Sequence, residues 1–225
     1  MNQCTKELQL LALAKHRQEN VYEGYKNISD PAFAEGAYEC DYVSPYSKSA
    51  HNVNADVFIA LQDWSSEDNL KGTICEETNR FGYTPSVGTN KNLVRLLKEH
   101  LNLNLKETYT TNLFPFIKPE RMSAEIKVKD LRKAALDYTI PMIKIIKPRI
   151  VVALGMKTFN AIKKTSGLEL DYDMNEAVAN PFEVGSAKVF FQAHPSQRSQ
   201  NKRGATQVSK DWKIMENYLK KENHA

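Results

Sequence analysis

The chain has 225 residues, 41% of them hydrophobic and 26% charged, with a formal net charge of +4. This length holds one well-buried core and is short for two ordinary domains with a linker, and the even spread of apolar residues excludes a disordered chain. Cys4, Cys40 and Cys75, odd in number and widely separated, cannot by themselves build a disulfide framework or a four-thiolate metal site. The expectation is therefore one domain over residues 1–225, with residues 1–50 as a helical extension packed on the core, reduced thiols, a monomeric state, and neither metal nor other cofactor. No apolar stretch has the length of a bilayer and no cleavable leader is apparent, so a cytoplasmic protein away from membranes is expected. The mild positive charge permits a polyanionic partner without demanding one.

In chain order, Leu8, Leu11, Leu13 and Ala14 fall near helical spacing and predict an amphipathic helix in the first twenty residues. After a polar, turn-rich stretch, residues 55–61 (ADVFIAL) are nearly all apolar and break abruptly into QDWSSED, the pattern of a buried parallel strand ending at a surface loop. Thr89 is placed to cap a helix with the apolar face Leu93, Leu96 and Leu97, and the second strand follows as YTTNLF. A long helical region over residues 123–146, kinked near Pro141, leads into a third strand, RIVVALG, at 149–155. A helix containing Phe159 and Ile162 precedes the fourth strand, KVFFQA, which runs into His194 and Pro195, and a last helix carries Trp212, Met215 and Leu219. Alternating strands and helices predict a three-layer α/β/α sandwich around a mostly parallel four-stranded sheet. In such sheets ligands bind beyond the carboxyl ends of the strands, where Asp63, Asn112 and His194 all fall.

Three motifs at those strand ends resemble the uracil-DNA glycosylase superfamily, over most of the chain from about residue 55. Gln62-Asp63 matches the centre of the GQDPY water-activating motif of one branch, Thr111-Asn112 matches the strand that reads the flipped base, and His194-Pro195-Ser196 matches the HPS that precedes a DNA-entering loop. KPRIVVALG at 147–155 is similar to a core strand of the branch that carries an iron-sulfur cluster, but the cluster is not expected here: the position after Asn112 where that branch places a ligand is Phe116.

The resemblance implies a monofunctional DNA glycosylase that flips a nucleotide and hydrolyses its bond to the sugar. Breaking that bond puts positive charge on the sugar and negative charge on the base, so the site needs a carboxylate near the one and donors near the other. Asp63 would direct water and stabilise the sugar, and His194 would donate to a base oxygen. Asn112 would read a pyrimidine edge, uracil-like or cytosine-like because its amide can turn over, and Gln62 would act through its backbone N–H. Arg198 would fill the gap left by the flipped nucleotide, with Ser196, Ser199, Lys202 and Arg203 on phosphates. Taken singly, each has a plainer reading: Asp63 as a turn residue, His194 as a core histidine, Asn112 as a backbone-bonding strand end and the basic loop as solvated surface.

Two departures bear on the base. Ser65 stands where GQDPY has the tyrosine that crowds carbon 5, and the PFVG segment that supplies a stacking phenylalanine reads Pro85-Ser86-Val87-Gly88, so Ser65 and Ser86 are expected to line a roomier pocket. Trp64, Phe81 or Tyr83 remains as a source of a stacking ring. A pyrimidine bulkier than uracil, such as the hydroxymethylated or glucosylated cytosine of some phage DNA, is the expected substrate, which would make the role antiphage defence. The alternatives are an ordinary uracil glycosylase of base-excision repair and a non-catalytic DNA-binding protein on the same fold. A nucleotide-binding protein is disfavoured, because GYTPSVG lacks the lysine and strand-turn-helix context of a phosphate loop. No lysine is placed by sequence as an amine nucleophile, so hydrolysis without strand cleavage is expected.

Overall fold

The computed structural model describes residues 2–222. Five strands, β1 (Val57–Asp63), β2 (Tyr109–Phe114), β3 (Ile150–Leu154), β4 (Phe182–Val184) and β5 (Ala187–Gln192), form one sheet in the order β2-β1-β3-β5-β4. β1, β2, β3 and β5 run parallel, and β4 is antiparallel to β5 across the turn at Gly185, whose φ of 62° favours glycine.

Side-chain alternation along the strands explains the three layers. In β1, Phe58 and Ala60 join one apolar cluster while Val57, Ile59 and Leu61 join another, and β3 divides likewise, Val151 and Ala153 against Ile150, Val152 and Leu154. The first face is covered by Leu10 of the helix Gln3–Glu19, by Leu131, Tyr138 and Ile143, and by Phe159 and Ile162 of the helix Met156–Thr165. The second face takes Leu93, Leu96 and Leu97 from the helix Gly88–Leu101 and Trp212 and Met215 from the helix Ala205–Glu222. A sheet buried on both faces accounts for the near-continuous apolar runs.

Several sequence expectations change in detail. The sheet has five strands rather than four, because Phe-Glu-Val is too short to stand out from the irregular segment around it. The first helix buries Leu10, Ala14 and Arg17, while Leu8 is exposed. Thr89 is not a cap: the helix begins at Gly88, and Val87 in the cap position makes no side-chain bond. The helical region starts at Val128 rather than 123, and Pro141 is accommodated by a π-helical turn, Ala135–Thr139, just before it. No described helix is long and apolar enough to cross a membrane.

One buried ion pair fixes the N-terminal segment to the core. Arg17 is fully buried and donates to both carboxylate oxygens of Glu39 at 2.5 and 2.6 Å, to Asn27 and to the backbone oxygens of Cys40 and Tyr42. Residues 39–42 lead directly into Ser44, which bonds Asn112, and Tyr46, which lines the cavity described below. Burial alone would raise the Glu39 carboxyl, but the Arg17 guanidinium outweighs it and the net shift is downward. A carboxyl that is lowered on folding stabilises the fold above its unfolded value and loses that contribution as pH falls through its folded value. Arg17→Met is expected to cost about 3 kcal/mol in urea unfolding at neutral pH. Below about pH 4 the gap between variant and wild type should narrow, and a gap unchanged by acid would contradict this assignment.

Candidate active site

The parallel strands end on one edge, and a cavity of about 830 Å³ opens there, lined by Gln62, Asp63, Trp64, Ser65, Asn112, Gly155, His194, Arg198 and Ser199, among others. The chain turns away to one side after β1, toward β2, and to the other after β3, toward β5, so the cavity lies at the topological switch point of the sheet.

Asp63 ends β1 with both carboxylate oxygens engaged. Oδ1 accepts from Gln62 Nε2 at 2.8 Å, and Oδ2 pairs with Lys118 Nζ at 2.8 Å. The pair is nearly inaccessible, 8% for the Asp63 side chain and 3% for Lys118. Lys118 also donates to the Met122 carbonyl. Its backbone is held on both sides: Ile117 bridges Lys26, Lys118 bridges Ser66, and the Lys118 carbonyl accepts from Glu67 N at 3.0 Å. Gln62 thus acts on Asp63 through its side-chain amide, a contact that the expected backbone role did not anticipate.

Asn112 lies within β2, beside Leu61 of β1, and is 1% exposed. Ser44 Oγ donates to its Oδ1 at 2.6 Å and accepts from Tyr46 N at 3.4 Å as the cap of a 3-10 turn. With the opposite amide orientation the buried Ser44 proton would lose its acceptor, so this network sets the amide: Oδ1 toward Ser44, and Nδ2 free to donate.

His194 follows β5. Its Nδ1 accepts the Ser196 N–H at 3.2 Å, and Gln200 holds its carbonyl at 3.0 Å. Next to it is Gly155, where φ is +92° and a Cβ would sit 3.6 Å from that of His194, so glycine meets a backbone need as the chain passes from β3 into the following helix. Burial pushes the imidazole below its ordinary value against a smaller upward pull from Asp63. The ring is therefore neutral at pH 7, and with Nδ1 accepting, its proton is on Nε2.

Aromatic rings complete the wall. Trp64 donates from Nε1 to the Gly82 carbonyl at 2.7 Å and meets Tyr38 edge-on at 5.7 Å, while Tyr46 and Tyr83 stack at 4.8 Å. All four line the cavity. Phe81 lies outside the lining, under the Arg80 guanidinium.

The remaining expected residues divide. Ser65 is buried and lines the cavity, as do Arg198 and Ser199. Ser196 caps the short helix Gln197–Arg203. Ser86 is exposed and outside the lining, so it is not brought to the cavity. Lys202 is exposed beyond the rim. Arg203 is turned inward: its guanidinium binds the buried Asp211 at 2.7 Å and Asn175 at 2.6 Å, which ties it to the fold rather than to phosphates. Cys4 lies in the first helix and Cys40 and Cys75 in separate loops, and Phe116 is packed against Tyr22. Among the described residues no group of three or more His, Cys, Asp or Glu could hold a metal ion.

The family model described as the uracil-DNA glycosylase superfamily matches residues 69–218, well over half of the chain. The chain belongs to this superfamily. The match contains Asn112 and His194 and begins after Asp63, whose place in the site rests on the geometry above. No curated protein matches the chain. Superfamily membership supports DNA glycosylase activity in general, a hydrolase with DNA as partner.

Lys118, Ser44, Tyr38 and Tyr46 were not among the residues expected from sequence. The polar break in FPFIKPE was the available signal for Lys118; Ser44 and Tyr46 carry none beyond the capping pattern Ser-Pro-Tyr. Nitrogen chemical shifts of His194 test the tautomer. A ring titrating below 6.5 with its proton on Nε2 is expected, and an Nδ1-protonated or charged ring at pH 7 would contradict the arrangement.

Proposed function

We propose that the protein hydrolyses the N-glycosidic bond of a flipped pyrimidine nucleotide bearing a substituent at carbon 5, leaving an abasic site. The observation that carries this reading is the convergence of Asp63, Asn112 and His194 on one cavity from three neighbouring parts of the sheet, two strand ends and the interior of β2. As the bond from C1′ to the base lengthens, His194 Nε2–H and Asn112 Nδ2 donate to base oxygens that gain negative charge. Asp63 faces the sugar as it becomes cationic and takes a proton from the water that adds to C1′. The base departs as its anion and is protonated by solvent. Arg198, at the cavity mouth, is suited to occupy the space vacated in the duplex.

The preference for an enlarged base rests on Ser65, a small buried side chain in the wall where a tyrosine would crowd carbon 5, and on a cavity near the upper end of the roughly 300–1,000 Å³ usual for small-molecule sites. The Ser44 lock on Asn112 favours a base edge with an acceptor opposite Nδ2, such as the O4 of a 4-keto pyrimidine. Among enlarged pyrimidines this favours substituted uracils over the substituted cytosines equally suggested by pocket size. Phage DNA carrying enlarged pyrimidines is the corresponding biological target, and the protein is read as acting in the cytoplasm as a monomer.

Duplexes carrying uracil, thymine, 5-hydroxymethyluracil, 5-hydroxymethylcytosine and glucosylated 5-hydroxymethylcytosine separate the readings. Release of 5-substituted bases over uracil is expected, and Ser65→Tyr should reverse that order. Robust uracil release with no activity on any substituted base would return the protein to ordinary uracil repair. Asp63→Asn should lower release by about 10³-fold while DNA binding persists. Unchanged behaviour in every assay would mark a DNA-binding protein without catalysis.

A further inference from the structure

Lys118 does more than the proposed hydrolysis requires. An ammonium 2.8 Å from the carboxylate that faces the sugar weakens the field available to a sugar cation. As a fold-stabilising device a buried ion pair is also a weak one. The amine is buried in the wall of the cavity and fixed by its backbone bridge to Ser66, and its only protein partners among the described residues are Asp63 and the Met122 carbonyl. Lys157, the other lysine in the lining, is half exposed and paired with Glu125.

We propose that Lys118 is an amine nucleophile and that the protein also cleaves DNA at abasic sites. This rests on the glycosylase reading, because the product of base release is a masked aldehyde at C1′, formed beside Asp63 and hence within reach of Nζ. Asp63 Oδ2 takes a proton from the Lys118 ammonium along their existing hydrogen bond. The neutral amine adds to the C1′ aldehyde, a C–N bond forms, and the Asp63 carboxyl returns its proton to the carbinolamine hydroxyl, which leaves as water to give the protonated imine and the free carboxylate. Removal of a proton from C2′, with Asp63 or water as acceptor, forms the C2′–C3′ double bond as the C3′–O bond breaks and the 3′-phosphate departs. Water then hydrolyses the imine and returns the amine. No oxidant or reductant is consumed.

The test uses the full chain and a duplex whose abasic site is prepared beforehand, so that absence of base release bears on the glycosylase reading alone and absence of the adduct on this one. Borohydride, which reduces an imine to a stable amine, should trap a protein–DNA adduct, and peptide mapping should place it on Lys118. Without borohydride the strand should be incised 3′ to the abasic site. Lys118→Arg keeps a cation beside Asp63 but cannot form the imine, and it should lose both adduct and incision. No adduct in the wild type, an adduct on another amine, or an adduct undiminished in Lys118→Arg would overturn the proposal. An adduct on Lys118 without incision would overturn the elimination step. Mapping in the wild type stands even if the arginine variant fails to fold.

Discussion

Four parallel strands running one way must end along one edge, and that constraint organises the rest of the molecule. The strands are buried on both faces, so polar side chains beyond the apolar runs appear at the edge together: Gln62 and Asp63 after Leu61, and His194 after Ala193. Asn112 is the exception, a buried amide inside β2 that its Ser44 partner compensates. The chemistry therefore collects where the core stops, and the helices on the two faces hold the strand ends at fixed separations.

The edge alone does not close the cavity. Parts of its wall come from the N-terminal segment and from the chain after β2, and both depend on buried charges. Arg17 binds Glu39 and the carbonyls of residues 40 and 42, and so sets the course of the chain into Ser44 and Tyr46. Lys118 binds Asp63, and its own backbone is clamped between the N-terminal segment and the loop after β1. A segment that reads as an extension in sequence thus supplies one partner to the Asn112 amide and two rings to the wall, Tyr38 and Tyr46. Loss of either charge pair would be felt as misplacement of site groups as well as loss of stability.

What could be read in advance follows from how local each signal is. β1, β2, β3 and β5 are apolar runs with sharp polar ends, a pattern carried entirely within each segment, and Asp63, Asn112 and His194 are legible because they sit at or near those ends. β4 spans three residues and owes its existence to pairing with β5, so nothing within it announces a strand. Thr89 has the residue type of a cap, yet the helix begins at Gly88 with Val87 in the cap position, two residues earlier. Arg203 and Lys202 look alike in a basic loop; the difference between them is Asp211, eight residues on and buried beneath the helix. The Lys118 and Ser44 contacts are long-range products of the sheet order, which no local pattern encodes.

The proposed arrangement is one cavity that binds the flipped base between Asn112 and His194 with its sugar against Asp63. It is tested most directly by the crystal structure of the protein on a duplex containing a 5-substituted pyrimidine on a 2′-fluoroarabino sugar, which resists cleavage. The base is expected in the cavity, with Asn112 Nδ2 and His194 Nε2 each about 2.7–3.2 Å from a base oxygen and C1′ beside the Asp63 carboxylate. A base left stacked in the duplex, or flipped to a surface away from Asp63, would contradict it.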